Sequence, residues 1–196
     1  MFKFCRNPDG STYNQYYWSR PGAALGPPPL RVLAQRAYDK LVQPSFHVDF
    51  SAQDADADTI TYVGTQTFFW VSFDNPGDGG VIKGGPVFGV TAVGEPDHLE
   101  IDPGDGSGTF TCPWATAKTD ECMKEYLETS ADSSVVDSHG VASFRATVTL
   151  IYKVHFENAA GNTLSIPALA AQFLTFPSDP EAVPIPVGEI QAIING

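Results

Sequence analysis

Leu99-Glu100-Ile101-Asp102-Pro103-Gly104-Asp105-Gly106-Ser107-Gly108-Thr109-Phe110-Thr111-Cys112 reads as a strand, an obligatory tight turn and a returning strand that closes on a cysteine. Gly104 and Gly106 can take positive φ at little cost, and the carboxylates of Asp102 and Asp105 can accept backbone N–H groups inside the turn. The chain therefore reverses direction here. Further along, Phe144, Ala146, Val148, Leu150, Tyr152, Val154 and Phe156 alternate with Arg145, Thr147, Thr149, Lys153 and His155, the period of a half-buried antiparallel strand. Asn158-Ala159-Ala160-Gly161-Asn162 follows as a hairpin loop.

Other strands are expected at 46–53, 60–73, 87–93, 99–102, 108–112, 164–176 and 185–194, joined by turns with no helix between them. That order indicates an all-β antiparallel sandwich, not a parallel sheet. Ahead of the strands, Leu30, Leu33, Ala34, Ala37, Tyr38 and Leu41 recur at helical spacing after Pro29, and Pro44 ends the pattern. Three parts result: an extended aromatic and Pro-rich N-terminal arm over 1–28, one short amphipathic α-helix over 29–43 packed on the domain, and a β-sandwich over 44–196.

Composition agrees with this and narrows the partners. With 18 Gly, 16 Pro and 12% aromatic residues in 196, the chain suits short strands and tight turns. The net charge of −12 and the scattered bases make nucleic acid and anionic membrane surfaces poor partners. No apolar run approaches membrane-spanning length. Of the three cysteines, Cys112 and Cys122 flank a turn-rich segment and are expected to form a disulfide. Closing so short a loop stabilises a fold by roughly 2 to 3 kcal/mol and presupposes an oxidising compartment. No secretion signal opens the sequence, so the expectation is a mature, secreted or cell-surface fragment with an added Met. Cys5 is left for an intermolecular bond, a missing partner or a free thiol.

Residues Glu100 to Cys112 resemble the W-D-F-G-D-G signature of PKD domains, immunoglobulin-like modules of cell-surface proteins. Asp102, Gly104, Asp105 and Gly106 match it; Ile101 and Pro103 stand where the signature has aromatic or larger apolar residues. The order of helix, Phe69-Trp70-Val71 strand, GDGS turn, Cys122, Tyr126 and the closing Val187 to Ala192 is similar to secreted PKD-like proteins of actinobacteria over about residues 30 to 194. The resemblance implies an immunoglobulin/PKD-like fold acting as a binding or spacer element, with no catalysis.

Candidate chemistry is sparse. Asp54, Asp56 and Asp58 fail the EF-hand template, which needs Gly at its sixth position and Glu at its twelfth where this chain has Thr59 and Thr65. They read as a solvated acidic edge. Glu100, Asp102 and Asp105 are a second candidate for calcium, against the alternative of turn-forming aspartates. His47, His98, His139 and His155 are far apart in sequence and have no metal-ligand spacing. Gly106-Ser107-Gly108 falls short of a nucleophile elbow. Phe68, Phe69 and Trp70 are adjacent, so at least one leaves the buried face; the helix over 30–42 is expected to cover it, and otherwise Phe69 and Trp70 would offer a sugar- or protein-binding platform. Trp114, in the disulfide loop, is expected as an exposed contact. The reading is a non-enzymatic extracellular binding, adhesion or scaffolding module that meets a protein or glycan. The alternatives are a structural subunit that assembles through its N-terminal arm or Cys5, and a hydrolase with an unrecognised site.

Overall fold

The computed structural model describes residues 2–6, 12–16, 28–52, 60–75 and 80–189. In chain order its strands are β1 Phe2–Arg6, β2 Thr12–Tyr16, β3 Phe46–Ala52, β4 Thr61–Tyr62, β5 Gln66–Phe73, β6 Ile82–Val87, β7 Val90–Asp102, β8 Phe110–Pro113, β9 Met123–Glu125, β10 Phe144–Glu157, β11 Thr175–Pro177, β12 Glu181–Ile185 and β13 Val187–Gly188. Helix α1, Leu30–Tyr38, lies between β2 and β3. Within the stretch expected as an extended arm, β1 and β2 pair antiparallel with Cys5 opposite Tyr13. Asp54, Asp56 and Asp58 lie outside the described residues, as do 7–11 and 17–27 of the expected arm and 190–194 of the last expected strand.

The chain forms an antiparallel sandwich with one short helix. The long strands β7 and β10 pair along their length at the centre of the larger sheet. β6 and β8 share the far edge of β7, while β11 and β12 share the far edge of β10. The facing layer is the smaller sheet β3-β5-β9, beside which α1 packs against β6 and β7. A parallel pair, β13 with β4, closes one end.

Alternation along β10 matches its burial: Ala146, Val148, Leu150, Tyr152, Val154 and Phe156 point into the core. β7 does not alternate throughout. Pro96 pairs with Tyr152 and His98 with Ile151, so Asp97 is an extra residue that switches parity. Ala92 and Gly94 face inward before this bulge, Leu99 and Ile101 after it. That switch makes one thirteen-residue strand read as two in the sequence.

The expected strand over 164–176 is a correction. Pro167 has no N–H and Ala168 sits at φ 57°, so no ladder runs through the segment, and it becomes a loop ending in the 3-10 turn Ala171–Phe173 and β11. Leu164, Ile166, Leu169 and Phe173 cap the core instead. The expected strand over 60–73 is broken by a turn at Val63–Thr65. α1 starts after Pro29, whose carbonyl accepts the Val32 and Leu33 N–H groups at 2.8 and 3.2 Å, and buries Leu33, Ala34 and Ala37. It stops at Tyr38, short of the expected bound.

Candidate functional site

The GDGS turn forms as its residues require. Asp102 accepts the Gly104 N–H and Asp105 the Ser107 N–H, each at 2.9 Å, while Gly104, Gly106 and Gly108 have φ of 76°, 79° and 91°. Asp105 also takes the Ser107 hydroxyl and faces the Lys124 ammonium of β9 at 3.4 Å, and Lys124 donates to the same hydroxyl at 2.7 Å. Burial works against the charged Asp105 carboxylate, but the Ser107 donors and Lys124 hold its pKa below the ordinary value. A lysine therefore occupies the cation's place beside Asp105. Glu100 and Asp102 stay on the strand, and no group of three metal-ligating side chains converges among the described residues. The three expected calcium ligands are thus not brought together around one point in this structure.

The Cys112–Cys122 disulfide is present, with Cα atoms 5.0 Å apart. It joins β8 of the larger sheet to the residue preceding β9 of the smaller one, so it staples the two layers. Its loop is bound rather than displayed: Phe69 and Val71 donate their N–H groups to the carbonyls of Cys122 and Ala115. Trp114 corrects the expectation of an exposed contact. Its indole stacks on Phe73 at 6.3 Å and meets Tyr152 edge-on at 5.1 Å, because the loop folds back over the sandwich rim.

Phe69 is fully buried, so it offers no surface to a ligand. Phe68 points the other way, but Lys118 covers its ring at 4.8 Å, where α1 was expected. Trp70, on the same outer face, is half-buried and stands opposite Asp49 of β3. Asp49, its neighbour across the ladder, lines an open concavity; Trp70 itself does not.

That concavity is a cleft of about 580 Å³ between the free edges of β3 and β12. His47, Asp49 and Ser72 line it from the smaller sheet, Val183 and Pro184 from β12, and Asp137 to His139 from the loop before β10. His47 bonds Asp74 at 2.7 Å. Asp137 accepts the N–H groups of Val141 and His139 at 2.8 and 2.9 Å, and these bonds keep its pKa below the usual carboxylate range. The cleft thus combines a fixed carboxylate, a second carboxylate next to a tryptophan, and imidazoles. Residues 90 positions apart meet here; the Asp137 turn was visible as an Asp-Ser-His-Gly sequence, but nothing in the sequence gave its neighbour. No protein-family model, curated protein or solved structure matches the chain.

Proposed function

We propose that the protein is a non-enzymatic extracellular binding module of PKD-like type, and that it takes a protein or glycan in the cleft between β3 and β12. The observation that carries this reading is the cleft itself: two strand edges whose ladders end there, lined by Asp49, Asp137 and His47, with Trp70 beside Asp49 across the ladder. Carboxylates and an indole serve sugar hydroxyls or cationic side chains alike, and rigid sheets limit the ordering cost of binding. The disulfide between the layers supports a life in an oxidising compartment.

Fluorescently labelled full-length protein applied to glycan and cell-surface protein arrays tests the proposal. An Asp49→Lys variant that melts as the wild type does should lose bound signal tenfold or more. Capture of no glycan or protein, or capture unaffected by Asp49→Lys, would overturn it.

A further inference from the structure

Two stretches of the sequence, Gly84 to Gly94 and Asn158 to Ser178, hold no Asp, Glu, Lys, Arg or His, although 17% of the chain is charged. The fold brings them to one end of the larger sheet. Thr91 at the start of β7 pairs with Glu157 at the end of β10, so the β6–β7 hairpin and the 158–162 turn lie side by side, and a Cβ on Gly89 would stand 3.9 Å from that of Ala159. Beyond that turn the chain returns along the other edge of β10, where the Phe156 carbonyl accepts the Leu164 N–H and the Leu174 carbonyl accepts that of Val154.

This end presents a knob and a hole. Val87 pairs with Val90, which leaves Phe88 and Gly89 as a two-residue hairpin turn with φ of 49° and 81°. Glycine or asparagine suits the first of these positions; a phenylalanine is strained there, and Phe88 is 76% exposed. On the other side of the 158–162 turn, Val154 and Phe156 of β10 and Leu164, Ile166, Leu169 and Leu174 of the returning loop line a pocket of about 200 Å³. His155 also borders it and bonds Glu157 at 3.3 Å. A cavity of about 150 Å³ with such an apolar lining takes benzene, so this one has room for a phenylalanine ring.

We propose that this end is a self-association surface on which Phe88 of each of two copies enters the apolar pocket of the other. Three observations choose a second copy as the occupant. Ring and pocket match in size and polarity. They stand on opposite sides of the 158–162 turn, so a two-fold axis past the exposed Ala159 and Ala160 carries each Phe88 towards its partner's pocket, and the contact closes as a dimer. A chain of net charge −12 repels its own copies, and the uncharged stretches are where two of them approach at the least Coulombic cost. The strained hairpin supports the same reading, because asparagine at position 88 would relax the turn but lose the ring. This joint is separate from the cleft between β3 and β12 and does not rest on it.

Sedimentation velocity on the full chain from about 5 to about 500 µM tests this, at about 50 mM and about 500 mM salt. Mass should rise towards a dimer and no further. High salt should strengthen the association, since it screens the repulsion and leaves an apolar joint intact. Phe88→Asn should weaken dimerisation about tenfold or more while melting at or above the wild-type temperature. Leu174→Glu, at the exposed rim of the pocket, should weaken it as much. Mixed one to one, the two variants keep one Phe88 and one intact pocket and should associate more tightly than either alone. A monomer at every concentration overturns the proposal, as does a dimer that survives Phe88→Asn, association that salt weakens, or growth beyond two copies. Phe88-dependent binding to phosphatidylcholine vesicles by a chain that stays monomeric also overturns it, the occupant then being a lipid surface. If Leu174→Glu does not fold, Phe88→Asn and the salt dependence decide alone. Array binding at the cleft should be unchanged by Phe88→Asn, so the two readings fail separately.

Discussion

Lys124 bridges Asp105 and Ser107 across the two sheets: its ammonium lies 3.4 Å from the carboxylate and donates to the hydroxyl at 2.7 Å. An element of the smaller sheet thereby holds the turn of the larger one, in the position where a bound cation would otherwise sit. Calcium or a chelator at millimolar levels should accordingly leave the melting temperature unchanged. A calcium-dependent rise in differential scanning fluorimetry would show that the lysine is displaced. Lys124→Met should cost about 1 to 2 kcal/mol in denaturant melts, since the Asp105 side chain is only 11% exposed.

Acid should destabilise the fold through the same kind of group. Hydrogen bonds from Lys153 and His98 lower the pKa of Asp97; Asp105 and Asp137 are lowered as described. A carboxylate depressed in the native state adds stability above its unfolded pKa of about 3.9 and loses it as pH falls through the folded value. Urea midpoints should be flat from neutral pH down to about 5 on this account and drop below about 4. Asp105→Asn should flatten that acid limb.

Gly104 and Gly106 share a left-handed backbone but not a neighbourhood. A Cβ at Gly104 would fall 2.3 Å from the Arg145 carbonyl oxygen, whereas one at Gly106 meets nothing within 4 Å. Gly106→Ala should cost about 1 kcal/mol, from φ alone. Gly104→Ala should cost well over that, because β10 backbone must move. Equal losses in thermal melts would contradict the close approach.

Two buried tyrosines should behave oppositely when truncated. The Tyr126 hydroxyl donates to the Pro103 carbonyl at 3.1 Å, and Tyr126→Phe should cost about 1 to 2 kcal/mol. The Tyr152 hydroxyl is buried with no hydrogen-bond partner among the described residues, so Tyr152→Phe should be neutral or stabilising by up to about 1 kcal/mol. Burial raises the pKa of both phenols, that of Tyr152 to about 12. The native state keeps them protonated while the unfolded chain ionises near pH 10, so their contribution, present below about pH 10, is lost as pH rises beyond it. Absorbance at alkaline pH should show these two phenols ionising only with unfolding.

Reduction of the disulfide, or Cys112→Ser with Cys122→Ser, should lower stability by about 2 to 3 kcal/mol, the loop-closure value for so short a span. Because the bond joins the layers, the loss should appear as separation of β8 from β9 in hydrogen exchange, with the β7–β10 pair protected.

Local patterning made much of the fold legible. The turn from Asp102 to Gly108, the alternation of β10, the helix after Pro29 and the Cys112–Cys122 link each depend on residues close in the chain, where backbone preference and side-chain period act directly. Other features depend on partners remote in sequence. The bulge at Asp97 hides the unity of β7 because one extra residue inverts the period. Trp114 lies on Phe73 and Tyr152, Lys118 covers Phe68, and Lys124 reaches Asp105, contacts that no spacing announces.

The amino-acid sequence by itself determined the all-β class, the reversal at the glycines and the cysteine pair, because these follow from φ preferences, side-chain alternation and proximity along the chain. Tertiary structure alone decided which carboxylates hold backbone or lysine, which aromatics are covered, and that His47 and His139 share a cleft between two sheet edges. Those outcomes are set by how the layers stack and where strand edges end, and packing distances between remote segments are not written in local periodicity.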